Sequence, residues 1–226
     1  MKKIILLVLS SLCFYQCKAQ KATITQLNNI PEITKEFEVF DTATFNKYKT
    51  DSTSFYVNIK LDKKKYLEMA KGQNQHHSSE YNKDSYFFIN KIFYPNNNIK
   101  FKGIYFNSGF PKGIWYYYNE DGSFSHEVDY DAPYKFKWND ILKYCIDHNI
   151  ILDKGHTNGG WHTTINRVSV EKIKASLNVK PMWTVEHYIL SNENTPNTGN
   201  GSIETIYLDG ITGKVIKREY KQLAKE

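Results

Sequence analysis

The chain has 226 residues, with 30 Lys and Arg against 24 Asp and Glu. Acids and bases alternate along it, so no basic stripe of the kind that binds nucleic acid is present, and no Walker-type phosphate loop occurs. The content of 17 Tyr, 13 Phe and 4 Trp favours strands, and the length suffices for one large domain or two small ones.

Residues 1–19 read as a secretory signal peptide. Lys2 and Lys3 precede the apolar run Ile4–Leu9, extended by Leu12, Cys13 and Phe14, and Cys17-Lys18-Ala19 forms a small-residue exit. The run is too short to span a bilayer. Cleavage after Ala19 removes three lysines and no acid, lowering the formal charge from +6 to +3. The expected location is the periplasm or the extracellular space. A lipid anchor at Cys17, the one route to a membrane, is disfavoured because Phe14-Tyr15-Gln16 lacks the small residue wanted before a lipidated cysteine. Beyond the signal only Cys145 remains, so an internal disulfide is excluded.

In residues 20–50, Pro31 interrupts any long helix, and Ile33, Phe37 and Phe40 fit one or two amphipathic turns. Phe55, Val57, Ile59 and Leu61 alternate with Tyr56, Asn58 and Lys60, predicting a half-buried strand. Asp62 reads as the N-cap of a short helix through Tyr66, Leu67, Met69 and Ala70, ended by Gly72. The polar stretch Gln73–Ser85 reads as a mobile loop, with His76 and His77 solvated. Strands are predicted over Tyr86–Tyr94, Ile99–Phe106, Gly113–Tyr118 and Ser123–Tyr130. Turn-forming residues separate them, as expected for an antiparallel meander.

Trp138, Ile141, Leu142 and Cys145 then fall on one helical face, which makes Cys145 a buried small hydrophobe rather than a reactive thiol. A loop at Gly155–His162 leads to a second helix, capped by Ser169, with Val170, Ile173 and Leu177 inward and Pro181 as its stop. A strand over Met182–Ser191, a loop Asn192–Gly201 and a hairpin around Asp209–Gly213 complete the chain. Gly213 is expected at positive φ and Gly210 in an ordinary conformation. The fold class is therefore α+β, mainly antiparallel sheet. The expected divisions are signal 1–19, an aromatic sheet unit 20–150 and a smaller α+β unit 151–226.

Two stretches resemble known families. Tyr94-Pro95-Asn96-Asn97-Asn98-Ile99 and Tyr118-Asn119-Glu120-Asp121-Gly122-Ser123 stand 24 residues apart, with Gly103, Tyr105, Gly113, Trp115 and Tyr117 between them. This section, about 86–130, resembles the MORN-repeat-variant proteins, which carry Y-x-x-x-G and G-x-W-x-x-Y hairpins in a single-layer sheet. Asn98 stands where that pattern has Gly. The stretch 169–220, with Trp183-Thr184-Val185 and Asp209-Gly210-Ile211-Thr212-Gly213-Lys214-Val215, resembles PepSY-like domains. The first resemblance implies antitoxin- or immunity-type binding and the second implies inhibition or binding outside the cytoplasm. Neither implies a catalytic residue or a cofactor.

No nucleophile elbow, zinc motif or paired-carboxylate site is present. His156 and His162, with Asp153 upstream, are the weak candidates for a metal ion in the alternative reading, a periplasmic metal-dependent protein or enzyme. The leading expectation is a non-enzymatic envelope or secreted protein that binds another protein. Its contact residues are taken to be Trp115, Tyr116, Tyr117 and Tyr118, whose side chains must alternate between two sheet faces. Nothing in the sequence fixes its oligomeric state.

Overall fold

A computed structural model describes residues 29–155, 162–189 and 201–223. Among the described residues are three helices, α1 (Thr42–Tyr48), α2 (Trp138–Asp147) and α3 (Val170–Ala175). Seven strands form one antiparallel sheet in sequence order: β1 (Tyr56–Lys60), β2 (Lys65–Lys71), β3 (His76–Asn82), β4 (Phe87–Phe93), β5 (Ile99–Phe106), β6 (Pro111–Tyr118) and β7 (Phe124–Asp129). Strands β8 (Thr163–Arg167), β9 (Met182–Ile189), β10 (Ser202–Asp209) and β11 (Val215–Gln222) form a second sheet, ordered β11-β10-β9-β8. The predicted α+β class, mainly antiparallel, is what the chain adopts. Residues 1–28, which include the expected signal, His156 and most of the 192–201 loop lie outside the described residues.

Three parts of the N-terminal reading are corrected. Tyr66–Ala70 is strand, not helix. Leu67 and Met69 turn toward the apolar cluster under the sheet, and the backbone pairs with β1 on one side and β3 on the other. Asp62 caps a turn instead, its Oδ1 accepting from the Lys64 and Lys65 amides at 2.6 and 2.8 Å. The supposed loop Gln73–Ser85 contains β3, held between two partners, so ladder pairing overrides a polar sequence with no alternation. His76 is accordingly only 3% exposed, not solvated. In β1 only Val57 and Ile59 are buried, while Phe55 and Leu61 are exposed.

The segment before α1, residues 29–40, is extended rather than a turn of helix. Val39 bridges Asn98, and Phe40 is buried against Phe45 and Phe93. Glu38 pins this segment to the sheet. Its carboxylate bridges Lys91 and the fully buried Lys102, the latter at 2.6 Å. The unforeseen helix α1 starts at Asp41, whose Oδ1 accepts from the Thr44 amide at 2.9 Å.

The two hairpin turns of the middle section share one hydrogen-bond pattern. Tyr94 and Asn97 repeat in Asn119 and Gly122, an offset of one from the sequence match. The left-handed residues are thus Asn97 (φ 75°) and Gly122 (φ 89°), not Asn98. The side chains of Asn96 and Asn98 both donate to Glu120 O at 2.9 Å, tying one turn to the next.

Helix α2 matches its predicted stripe. Trp138, Ile141, Leu142 and Cys145 are buried in one cluster with Phe87, Ile104 and Phe106 of the large sheet and Ile165, Trp183, Val185, Ile206 and Leu208 of the small one. Both sheets therefore share a core across the 150/151 boundary. Asp131 adds a polar tie, pairing with Lys112 of β6 and Arg167 of β8 at 2.8 Å each. Helix α3 has the predicted Ser169 cap but ends at Ala175, leaving Leu177 fully exposed. At the last hairpin Gly213 has φ 71°, and Asp209 Oδ1 accepts from the amides of Ile211 and Thr212.

Candidate functional site

Antiparallel partners share a face, so the register places every side chain of the large sheet on one of two sides. One side carries Val57, Met69, Phe93, Ile99 and Tyr118 and is covered by α1 and residues 35–40, with Phe87, Ile104 and Phe106 under α2. The other side has a different make-up. One row across it runs Tyr66, Tyr81, Phe88, Tyr105, and a second runs His77, Ile92, Phe101, Tyr117, His126. Between them lies a row of small and polar residues, Glu68, Ser79, Asn90 and Gly103. None of these residues belongs to either apolar core cluster.

The rings cover one another. Phe88 stacks on Tyr81 at 4.6 Å and on Tyr105 at 5.8 Å, so it offers its edge outward. Tyr117 stacks on His126 at 4.6 Å and leans on Phe101 at 5.7 Å. Trp115 fills the gap between the rows, touching the rings of Phe101, Tyr105 and Tyr130 and lying directly on Gly103. Polar groups are interleaved: His77 Nε2 lies 2.7 Å from Asn90 Oδ1 and 2.9 Å from Ser79 Oγ. Burial and the Glu68 charge push the Tyr81 phenol up to about 12, and burial raises Tyr105 and Tyr117. These phenols stay neutral near pH 7, and the Tyr117 hydroxyl lies 2.9 Å from that of Tyr130. At one margin the Glu171 carboxylate of α3 stands beside the Tyr130 hydroxyl.

The expected contact set Trp115–Tyr118 is corrected in its exposure. The side chains do alternate, but Trp115 is 2% exposed and Tyr118 4%, so neither is a free anchor. Tyr118 turns to the covered side, where its hydroxyl donates to Lys35 O at 2.8 Å, and Tyr116 packs on the same cluster. Tyr117 alone of the four is a partly exposed member of the open face. The rings at Tyr66, Tyr81, Phe88, Phe101 and Tyr105 went unrecognised. Their signal is alternation within each strand, visible in Phe101-x-Gly103-x-Tyr105 once neighbouring strands are registered.

Of the weak metal candidates, His162 is described and pairs with Asp153 at 2.8 Å, while His156 lies outside the described residues. No group of three potential metal ligands converges among the described residues. His187, the histidine of β9, donates from Nε2 to the buried Glu204 carboxylate at 2.9 Å. Arg218 and Tyr220 complete that carboxylate's shell at 2.5 and 2.7 Å. Burial would raise Glu204, but these three partners hold it below the usual carboxylate range. Every oxygen of the carboxylate is occupied, which makes the cluster a joint between β9, β10 and β11. Among the described residues no helix is long and apolar enough to cross a membrane. Compared with family models, curated proteins and solved structures, the chain matches none.

Proposed function

We propose that this chain is an exported, non-enzymatic protein that binds another protein of the envelope or secreted space through the aromatic face of its large sheet. One observation carries the reading: a rigid antiparallel sheet displays two rows of partly exposed rings that neither core cluster absorbs. Tyr, Phe and His dominate that face, and large rings with few rotatable bonds lose little freedom on binding, as in antibody paratopes. The near absence of lysine and arginine there argues against a nucleic acid or an anionic membrane. Likeness to MORN-repeat-variant proteins in the middle section, and to PepSY-like domains after residue 169, supports an immunity- or inhibitor-type role by analogy.

The test is partner capture by purified protein and by variants that trim the face. Phe88→Ala and Tyr117→Ala should keep the far-ultraviolet spectrum while a partner held by the parent chain is lost or weakened at least about tenfold. Tyr207→Ala, on the outer face of the small sheet, is the control and should retain it. A partner kept by both aromatic variants but lost on His162→Ala would move the site to the histidine loop and overturn the reading.

A further inference from the structure

Strand β1 is the outer strand of the large sheet. It pairs with β2 in the register Tyr56↔Ala70 to Lys60↔Tyr66 without a bulge. Phe55 O accepts from the Lys71 amide at 2.8 Å and the Leu61 amide donates to Lys65 O at 3.0 Å. Backbone groups alternate in direction along an antiparallel strand, so residues 55, 57, 59 and 61 bond inward. Tyr56, Asn58 and Lys60 consequently aim three N–H and three C=O groups at the open edge. Natural edge strands are normally blunted by proline, bulges or charged side chains, and of these β1 has only Lys60 at its end. Apolar side chains gather around it instead: Phe55 is 73% exposed, Leu61 49%, and Tyr48 at the end of α1 47%. One edge of the other sheet, β11, carries Lys217, Arg218 and Lys221, charges that discourage pairing.

The seven residues Phe55-Tyr56-Val57-Asn58-Ile59-Lys60-Leu61 are complementary to themselves when reversed about Asn58. An antiparallel second copy with Asn58 opposite Asn58 brings every outward N–H against an outward C=O, in the pairs 58–58, 56–60 and 60–56. A two-fold axis normal to the sheet keeps each face on its own side. Val57 then meets the second copy's Ile59 on the α1 side, extending the buried stripe. On the aromatic side Tyr56 meets the second copy's Lys60, a cation–π pairing. Phe55 meets the second copy's Leu61 at each end, covering two of the most exposed apolar side chains near the edge. Shifting the register by two residues leaves outward groups of Tyr56 or Lys60 without a strand partner.

We infer that β1 is a homodimerisation edge, joining two copies into one continuous sheet whose aromatic faces lie side by side. This inference is independent of what the aromatic face binds. A single strand pair buries little area, which places the dimer in the weak, concentration-dependent class.

Sedimentation velocity of the purified protein from about 1 to about 500 μM should show a monomer–dimer equilibrium. Tyr56→Lys, which opposes two lysines twice over, should weaken it by about tenfold or more, and adding Lys60→Glu should restore it. Asn58→Pro, which removes an outward N–H without breaking a backbone bond to β2, should leave a monomer. Asn58→Cys should give an interchain disulfide under mild oxidation, whereas His126→Cys on β7 should not. A protein that stays monomeric throughout that range, or a dimer indifferent to Tyr56→Lys and uncrosslinked by Asn58→Cys, overturns the inference. A foreign strand captured at this edge by a chain that never self-associates overturns it too.

Discussion

The indole of Trp115 lies flat against the backbone of Gly103, so close that a Cβ there would fall 2.0–2.3 Å from three of its ring atoms. The glycine is required for proximity, since its φ is not positive. The ring also donates from Nε1 to Ile104 O at 3.3 Å. Gly103→Ala should therefore expel the indole, costing about 3 kcal/mol in urea unfolding and shifting tryptophan emission to the red. Unchanged stability and emission would mean the ring does not sit there.

Burial pushes the Cys145 thiol up to about 12, and its side chain is fully enclosed. The native protein should resist thiol reagents at neutral pH and label only on unfolding. Cys145→Ser should cost about 1–3 kcal/mol, because a hydroxyl is placed without a partner in an apolar cluster.

Gly210 and Gly213 are both constrained, for different reasons. Gly213 combines φ 71° with a Phe136 ring 2.3 Å from where a Cβ would stand, whereas Gly210 presses on the Pro181 backbone at 2.7 Å. Gly210 has the ordinary conformation the sequence suggests, so its constraint is one of space, which conformation alone does not reveal. Valine at either position should destabilise by on the order of 2–4 kcal/mol, read from denaturation midpoints.

His76 lies buried against Phe40, and neither ring nitrogen has a hydrogen-bond partner among the described residues. Leaving such groups dry is costly, so His76→Phe should raise stability by about 1 kcal/mol. A loss of stability would indicate an unseen partner for the imidazole.

Acid should loosen the extended N-terminal segment and the joint between the sheets. Burial opposes ionisation of Glu38, but Lys102 and Lys91 outweigh it and lower its carboxyl. Burial likewise opposes ionisation of Asp131, where Lys112 and Arg167 prevail. A depressed folded value contributes stability that is complete above the unfolded values, about 3.9 for Asp and 4.3 for Glu. That contribution fades as pH falls through the lower folded values. Glu38→Gln should flatten this acid limb in thermal scans from about pH 5 to about pH 2.

What the sequence disclosed depended on where each pattern was written. The strands β4–β7, helix α2 and the hairpin at Asp209 carry their own periodicity and turn residues, so they were legible. Strand β3 was not, because His77 and Ser79 are polar on the face where their β4 partners are Ile92 and Asn90, so no apolar alternation is written along it. Helix propensity at Tyr66–Ala70 lost to pairing with two strands. The aromatic face was half legible. The consecutive run Trp115–Tyr118 announced rings, but their exposure depends on Gly103, Lys35 and Tyr130, which only registration brings together.

Every strand of the large sheet pairs with its immediate neighbour in sequence, from β1 through β7. Each closure therefore spans a short loop, and the entropy lost at each step is small. Such a sheet can zip strand by strand from any hairpin, whereas the small sheet has also to close the longer excursion through α3 between β8 and β9. Pulled from its ends, the same arrangement would release strands one after another rather than shear as a block.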